Sequence, residues 1–564
     1  MHRRTLVPTV ATLALALPLA AATPGLAAPA RGVVQYSAPG AALELTPLGA
    51  YETGIFDESA AEIVVHYAAK QRLLVVSAAA ATVEVLDVAD PDDPTKLFDL
   101  ETAGVGDIPA GAVANSVAVR PDGLAVVAVE APVRTDRGWL AFYDVRGDSG
   151  RALGAVRVGA LPDMVTMTPG GDRAVVANEG EPADDYLVDP EGSVSVVDLP
   201  GRVRAATQAD VRTARFHRFE DSLPRGVRIY GGREDAGTGI PERPVSENLE
   251  PEYVTTSGRF AYVTLQEANA IARVNLNSAK VQKVFPLGTV DRMVVPMDAS
   301  DRDGAIDLAT WPVKAYRLPD ALASYRVKGR TYLVTADEGD TRDWGAYSEE
   351  ARVKDLGDPE EGLAPICDSV AEKAGMTLEE LTADENLGRL KVTTAQGLTR
   401  DGSCYRTLFA FGGRGISVFT TGGTLVGGTG SELEEITAAA VPDGFNSDHG
   451  ASAFDDRSDD KGPEPEGITV GTVDGTPYAF VGLERVGGVM VYDLSKPARP
   501  RFVTYVNTRD FTVSGEDDLA AAGDLGPEGL AFVKRADSPT GTPVLAMAHE
   551  VSGSTRLYDV TTLD

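Results

Sequence analysis

The chain has 564 residues, of which 84 are Asp or Glu and 52 are Lys or Arg, so its formal net charge at pH 7 is −32. A surface this acidic repels nucleic acid and anionic lipid, and it attracts divalent cations or basic ligands. The alternative explanation of the total charge is that acidity only keeps an exported protein soluble.

Residues 1–30 are predicted to be a cleaved secretory signal peptide. Arg3 and Arg4 precede an Ala-rich apolar stretch that is too short to span a membrane, and small residues follow around Ala28 and Ala30. An uncleaved anchor is disfavoured because no cationic flank follows the stretch. The chain ends in "LYDVTTLD", which is no hydrophobic tail. We therefore expect a secreted, extracellular protein whose mature form does not associate with membranes.

A repeat runs through the rest of the chain. A short strand that ends in Asp or Asn before Val or Leu recurs, and a weaker copy, "GISVFT", ends at Thr420. The strand ends are Asp87, Asp144, Asp198, Asn275, Asp493 and Asp559. Two hydrophobic strands precede each copy and a more variable strand follows it, which predicts a four-stranded antiparallel blade.

Seven copies predict an all-β fold, a seven-bladed β-propeller that occupies residues 31–564 as a single domain. The last copy lacks a fourth strand, and residues 42–52, "ALELTPLGAYE", are expected to supply it and so close the ring. An array of β-sandwiches is the competing fold, because the spacing between copies is uneven.

Two cysteines occur, Cys367 and Cys404. In an oxidising compartment they are expected to form a disulfide, and the residues between them begin with helical spacing. We therefore predict a disulfide-stapled insertion at about 341–404. Two unrelated buried thiols are the alternative.

Two similar stretches, "GPEPEGITV" at 462–470 and "GPEGLAFV" at 526–533, place a glutamate between Pro and Gly ahead of a strand. In a propeller blade the start of the first strand and the end of the second lie at the same mouth of the channel. Acidic residues stand at both places. Those at predicted first-strand starts are Glu62, Asp163, Glu252, Glu466 and Glu528, and those at predicted second-strand ends are Glu130, Glu179, Glu267, Glu338, Glu484 and Glu550.

Such a crown of carboxylates requires compensation. Two like charges about 4 Å apart repel by about 4 kcal/mol at an effective dielectric constant of 20. We expect a hard cation, Ca²⁺, bound through oxygen ligands, and no organic cofactor. Zinc is disfavoured because the few histidines have no ligand spacing. The alternative is that the protein's own arginines, such as Arg485 beside Glu484 or Arg342 beside Asp340 and Asp343, neutralise the crown.

Several long stretches resemble the choice-of-anchor I family of exported bacterial propellers. They include "VVANEGEPADDYLVDPEGSVSVVDL", "LVTADEGDTRDW" and "FDDRSDDKGPEPEGITVG". Members are described as alkaline phosphatase-like and are similar to esterase-like phytase propellers. The resemblance implies a secreted propeller with metal-linked acidic loops that hydrolyses phosphoesters. Asp337 and His549 depart from it, because the family pattern has Asn at both positions.

The resulting hypothesis is a Ca²⁺-dependent phosphoesterase that acts on a small substrate as a monomer. Lys461, Arg457 and Arg485 are the expected catalytic residues, which would stabilise the leaving group. The expected metal ligands are Glu179, Glu252, Glu267, Glu338, Asp340, Asp459, Asp460, Glu466, Glu484, Glu528 and Glu550. The alternatives are a non-catalytic extracellular propeller that binds a cell-surface glycan or protein with structural Ca²⁺, and a purely structural extracellular module.

Overall fold

The computed structural model describes residues 32–229, 244–345, 347–513 and 521–563. The predicted signal peptide, residues 1–30, lies outside the described residues. Among the residues that are described, no helix has the length and apolar character needed to cross a membrane.

The fold is all-β and consists mainly of four-stranded antiparallel sheets, as predicted. The first two sheets contain β3 (Val64–Tyr67), β4 (Arg72–Ser77), β5 (Thr82–Asp87) and β6 (Thr95–Glu101), then β7 (Val113–Val119), β8 (Leu124–Glu130), β9 (Arg137–Asp144) and β10 (Arg151–Ala160). The next two contain β11 (Pro162–Met167), β12 (Arg173–Asn178), β13 (Ser193–Asp198) and β14 (Val211–Arg215), then β15 (Pro251–Ser257), β16 (Phe260–Leu265), β17 (Ala270–Asn275) and β18 (Lys280–Pro286).

Three further sheets follow in the second half of the chain. Their strands are β21 (Leu322–Val327), β22 (Arg330–Asp337), β28 (Gly415–Thr420) and β29 (Leu425–Gly428); β30 (Pro465–Val473), β31 (Thr476–Leu483), β32 (Val489–Asp493) and β33 (Arg501–Asn507); and β34 (Pro527–Val533), β35 (Val544–His549) and β36 (Ser554–Thr562) with β2 (Leu43–Glu52). An additional strand that the sequence did not predict, β1 (Val34–Ser37), pairs with β33.

The recurring Asp or Asn at the end of each third strand has a local cause. Asp87 Oδ1 accepts a hydrogen bond from Ala89 N, and Asn275 Oδ1 accepts one from Asn277 N, so each side chain caps the turn that follows its strand. The aliphatic residue after it is buried and donates its N–H to the turn between the first two strands, as Val88 N does to Gln71 O. The repeated motif therefore marks where each third strand stops.

The sheets form a β-propeller with its hydrophobic cores between neighbouring sheets. The first strands contact one another in the order β3, β7, β11, β15, β21, β30 and β34, and β34 contacts β3 again. Buried aliphatic side chains fill each gap; Val76 of one sheet and Val127 of the next belong to the same cluster. The predicted role of residues 42–52 is confirmed by the pairing of β2 with β36, in which Leu45 lies opposite Val560.

An accessory unit is formed by two chain segments, one between β18 and β21 and the other between β22 and β28. Its sheet contains β19 (Thr289–Asp291), β20 (Val313–Tyr316), β27 (Leu408–Ala410), β26 (Lys391–Thr393) and β25 (Glu350–Arg352), and a short hairpin joins β23 (Asp343–Trp344) to β24 (Tyr347–Ser348). The helices are α1 (Asp368–Ala374), α2 (Leu378–Leu381) and, ahead of β30, α3 (Glu432–Ala440).

The predicted disulfide between Cys367 and Cys404 is confirmed. The accessory unit is larger than the insertion predicted at about 341–404, because β19 and β20 precede β21 in the chain. β20 joins the unit by pairing in parallel with β27. A parallel pairing across almost a hundred residues leaves no local signal in the sequence.

Candidate functional site: an acidic cavity at one end of the ring

The crown end of the ring, defined as the end where first strands begin and second strands end, is built by β-bulges. Four first strands begin with Pro followed by Asp or Glu, and the strand register shifts immediately after the proline. The acids in these bulges are Asp163, Glu252, Glu466 and Glu528. A bulge changes the direction of a side chain, and proline is tolerated there because its missing N–H is not needed. Each Pro–acid pair thus places a carboxylate at the mouth of the channel.

The glycine after each of two crown glutamates is required by crowding. A Cβ atom on Gly467 would collide with the carbonyl oxygen of Glu528, and one on Gly529 would collide with the carbonyl oxygen of Glu62. First strands of adjacent sheets thus approach each other through backbone alone at these points. The Pro-Glu-Gly sequence thereby combines a strand start, a re-aimed carboxylate and a close backbone contact.

The crown carboxylates surround a cavity of about 570 Å³, which we name the acidic cavity. Its lining includes acids from five of the sheets and charged residues from the accessory unit and the loop before β30. The lining residues are Asp163, Glu179, Glu181, Glu250, Glu252, Gln266, Glu267, Asp320, Glu338, Asp340, Thr341, Asp343, Glu350, Lys391, Arg457, Asp460, Lys461, Glu466, Glu484, Arg485 and Glu550. The cavity divides into two sectors with different electrostatics.

The anionic sector consists of Glu179, Glu252 and Glu267. One carboxylate oxygen from each lies within 4.8 Å of the other two. Glu179 and Glu252 are buried, and Glu252 Oε2 and Glu267 Oε2 have no hydrogen-bond partner among the described residues. A buried carboxylate oxygen without a partner carries a desolvation cost. Two oxygens of this sector therefore lack a donor among the described residues, while the charge of Arg342 partly offsets the effect of burial on the pKa of Glu267.

Burial and mutual repulsion raise the pKa values of the crown carboxyls. Burial is the main cause of the raised pKa of Glu252, and the charges of Glu267 and Glu179 add to it. The same two causes raise the pKa of Asp163 to about 7 and that of Glu62 to about 8. Both effects disfavour the ionised form unless a positive charge enters the cavity.

The cationic sector has the opposite arrangement. Glu464 is fully buried and receives three cations: Arg457 Nη2 at 2.7 Å, Lys461 Nζ at 3.2 Å and Arg485 Nε at 3.3 Å. Despite burial, these charges hold the pKa of Glu464 well below its usual range. Lys461 also lies 3.4 Å from Glu338 and 3.1 Å from Asp340. In this sector the protein's own cations neutralise the crown.

A histidine stands at the edge of the cationic sector. Nitrogen and oxygen atoms of His449, Glu484 and Glu550 lie within 4.8 Å of one another, which would suit a metal ion. Arg485 Nη1, however, lies 2.8 Å from His449 Nε2, and Arg485 Nη2 lies 3.0 Å from Glu484 Oε1. The guanidinium therefore already occupies the neighbourhood that a metal ion would need.

The structure brings most of the sequence-predicted site residues together. The three predicted catalytic cations and nine of the predicted ligands line the acidic cavity; those ligands are Glu179, Glu252, Glu267, Glu338, Asp340, Asp460, Glu466, Glu484 and Glu550. Asp459 and Glu528 do not line it. Asp459 Oδ2 lies 2.9 Å from Arg389 Nη2 in an ion pair. Burial raises the pKa of Glu528, and the charges of Glu62 and Glu550 add to this effect.

Sequence reasoning missed several lining residues. Asp320 follows Pro319 directly before β21, so the same Pro–acid pattern could have identified it. Lys391 and Glu350 are contributed by the accessory sheet and form an ion pair of 2.7 Å. Their participation depends on a tertiary contact that no local pattern encodes.

Of the two departures expected from the family pattern, Asp337 has a structural explanation. Asp337 ends β22 at the position where Asn178 ends β12. Asn178 Nδ2 donates to Ser193 and Ser195, whereas Asp337 accepts hydrogen bonds from Thr335 and Ser417, and Arg317 lies 3.6 Å away. The extra charge at Asp337 is thus matched locally. His549 is buried, and burial lowers its pKa.

The family model of the choice-of-anchor I domain matches residues 62–497, which include the ring of first strands from β3 to β30 and most of the acidic cavity. The chain belongs to the choice-of-anchor I domain family. Membership in this family and the disulfide together indicate an exported protein.

Two relatives share part of this choice-of-anchor I chain. Gigasin-3a of Magallana gigas is 32% identical over 192 residues, which are 32% of this chain and 67% of the relative. The mesenchyme-specific cell surface glycoprotein of Strongylocentrotus purpuratus is 30% identical over 285 residues, which are 44% of this chain and 35% of the relative. The match therefore leaves about two thirds of the second relative outside the comparison.

Solved structures show only distant likeness to the choice-of-anchor I chain. The β-propeller domain of Myceliophteria thermophila Cps50 (Swd1) is 7% identical, with a TM-score of 0.41 over 92% of this chain and all of that one. Kuenenia stuttgartiensis hydrazine synthase is 12% identical, with a TM-score of 0.42 over 91% of this chain and 98% of that one.

Proposed function

We propose that this protein is a secreted, Ca²⁺-dependent phosphoester hydrolase whose site is the acidic cavity. The observation that carries the proposal is the presence of two sectors in one cavity: three clustered glutamates, two of which have a buried oxygen without a hydrogen-bond partner among the described residues, and three cationic side chains around Glu464. A cation-binding face and an anion-binding face in one cavity match the two ends of a metal–phosphate complex.

The residues of the anionic sector suit Ca²⁺. Their carboxylates offer oxygen ligands only, and three glutamates can supply up to about six oxygens, within the usual range for Ca²⁺. The oxygens of Glu252 and Glu267 that have no hydrogen-bond partner among the described residues support the proposal that a cation binds here. Asp163 also lines the cavity and is a candidate for a further ligand.

A bound Ca²⁺ would polarise a phosphoryl oxygen and lower the pKa of a bound water. The chain's own residues would do the rest. Arg457 and Arg485 have partly exposed side chains in the cavity, so they can orient the phosphate and stabilise charge on the leaving oxygen. Glu464 fixes both guanidinium groups in position. Lys461 is buried and pairs with the same carboxylate.

The proposal also covers the number of blades, the export of the chain and its oligomeric state. We infer that the seven four-strand units are seven blades, since their first strands contact each other in cyclic order, and that a signal peptide at residues 1–30 is removed on export. The closed ring brings acidic residues of five sheets to one cavity. The expected mature protein is a monomer.

Hydrolysis of p-nitrophenyl phosphate and bis-p-nitrophenyl phosphate tests the proposal. Activity should appear with Ca²⁺ and disappear after chelation, and Arg485→Lys should lower kcat because a lysine cannot reproduce the planar hydrogen-bonding pattern. Arg501→Lys, at the exposed first residue of β33, is the matched control. If neither substrate is hydrolysed in the presence of Ca²⁺, the proposed hydrolase activity is rejected.

A second candidate is a non-catalytic binding propeller with structural Ca²⁺. The observation that favours it is that Lys461, Arg457 and Arg485 already share Glu464, so a phosphate would compete with an existing ion-pair network. One relative is also named a cell surface glycoprotein. Binding of Ca²⁺ without hydrolysis of either phosphoester would favour this candidate.

A further inference from the structure

Exposed apolar side chains are concentrated at the crown end. In the described residues the loops of this end expose Val133, Leu187, Val188 and Phe454. Leu187 is 78% exposed and Val133 is 58% exposed, and Leu187 and Val188 are adjacent in the chain. Scattered single apolar residues on a surface need no explanation, but a concentration around one cavity does.

Topology and one ion pair place these tips at the rim of the acidic cavity. Val133 lies in the loop after β8, and Leu187 and Val188 lie in the loop after β12, both of which follow second strands. Arg134 Nη1 lies 3.0 Å from Glu181 Oε2 and so joins the two loops, and Glu181 lines the cavity. Phe454 lies in the loop that leads into β30 and contributes Arg457 to the cavity.

The opposite end differs. The turns between first and second strands there are short and polar, such as 120–123, "RPDG", and 474–475, "DG". The other exposed large apolar side chains of the described residues include Tyr36, Leu97 and Leu425 on outer strands and Leu563 near the chain end. The apolar tips therefore distinguish the end that carries the cavity.

We propose that the crown end docks onto a lipid bilayer, with cations in the acidic cavity bridging its carboxylates to headgroup phosphates and with the apolar tips inserted at the interface. This inference rests on the proposed cation site. Anionic lipid alone would be repelled by a chain of net charge −32. This inference departs from the sequence-based expectation that the mature protein does not associate with membranes.

A bilayer fits these tips better than a protein partner does. The tips belong to loops on opposite sides of the ring, the third sheet and the sixth, with charged cavity residues between them. A stable protein interface needs a continuous buried centre, whereas separate side chains can each enter the boundary between headgroups and acyl chains. Docking in this orientation would also present lipid phosphoesters, as a substrate class, to the acidic cavity.

Co-sedimentation with vesicles of phosphatidylcholine and phosphatidylserine tests the inference. The wild-type protein should sediment with these vesicles in Ca²⁺ and remain in solution in EGTA. The double variant L187S/V188S should bind the vesicles about tenfold more weakly, because it removes two apolar side chains from the inserted tips. A tenfold change in affinity corresponds to about 1.4 kcal/mol of binding free energy. Leu97→Ser, which removes an exposed leucine from outer strand β6, should bind as the wild type does.

Calorimetric titration with CaCl₂ in the absence of vesicles separates this inference from the proposed function. L187S/V188S should bind Ca²⁺ as tightly as the wild type, since neither residue lines the cavity. Wild-type protein that binds Ca²⁺ but not vesicles, or L187S/V188S that binds vesicles normally, would overturn the docking inference and leave the cation site standing. Vesicle binding that persists in EGTA would also overturn it.

Discussion

Arg457 Nη2 lies 2.7 Å from Glu464 Oε1, and Glu464 has no exposed surface. The same carboxylate also receives Lys461 and Arg485. A buried ion pair of this kind is costly to break because the remaining charges stay buried without compensation. Glu464 is therefore the residue on which the cationic sector depends.

The first prediction follows from that arrangement. Glu464→Gln preserves the shape of the side chain but leaves three cations without their shared charge, and it should lower the free energy of unfolding by about 3 kcal/mol. Urea denaturation of the metal-free protein measures the change. Glu361→Gln, at an exposed position of the accessory unit, should have almost no effect. A similar small effect for Glu464→Gln would show that Asp460, Glu338 and Glu484 suffice to neutralise the cations.

The disulfide should stabilise the accessory unit without holding the propeller together. Cys367 and Cys404 both lie between β22 and β28, and neither belongs to a sheet of the ring. Closing a loop of 37 residues lowers the conformational entropy of the unfolded chain, which raises its free energy by about 3–4 kcal/mol in the loop-entropy model.

The double variant C367S/C404S tests this point. We expect faster proteolysis and hydrogen exchange in residues 353–405, together with a main thermal transition close to that of the wild type. Reduction of the wild-type protein should reproduce the result. Loss of the main transition in the variant would show that the accessory unit is needed for the ring to fold.

A pH prediction concerns Asp455, in the loop before β30. Its side chain is 1% exposed, Oδ2 has no partner among the described residues, and burial, with smaller contributions from Asp298, Asp303 and Asp301, raises its pKa to about 8. The folded protein therefore binds a proton more tightly than the unfolded chain. This contribution to stability is fully present below pH 4 and decreases as pH rises towards 8.

Asp455→Asn should remove that pH dependence. Asparagine tolerates the left-handed backbone of this position, where φ is 69°. We expect the variant to be more stable than the wild type by about 1–3 kcal/mol at pH 8.5 and similar to it at pH 4, measured by urea denaturation at both pH values. Asp456→Asn, at the exposed neighbouring position, is the control. Equal pH profiles for Asp455→Asn and the wild type would contradict the assignment.

Much of the fold could be predicted from the sequence because its signals are local. The capped turns at Asp87 and Asn275 repeat in each unit, and the buried strands are runs of aliphatic residues. β1 could not be predicted in the same way, because it pairs with β33 at the far end of the chain and its outer face is exposed.

The candidate site was predictable in composition but not in its division into sectors. Pro–acid pairs indicated which carboxylates meet at one end, and the same pattern extends to Asp320. The sequence could not show that Glu464 would collect three cations, or that Glu252 would keep an unpartnered oxygen, because both depend on side-chain packing across several sheets.

The most direct test of the cation site is calorimetric titration of Ca²⁺ into the wild type and Glu252→Gln, with Glu361→Gln as control. Glu252→Gln removes one charge from the anionic sector and keeps its shape. We expect the wild type and the control to bind Ca²⁺ and to gain about 2.7 kcal/mol of stability at a hundredfold excess over Kd. Glu252→Gln should bind Ca²⁺ much more weakly and be more stable than the wild type without metal. No binding of Ca²⁺ by the wild type, with Glu252→Gln more stable only through relief of repulsion, would contradict the account.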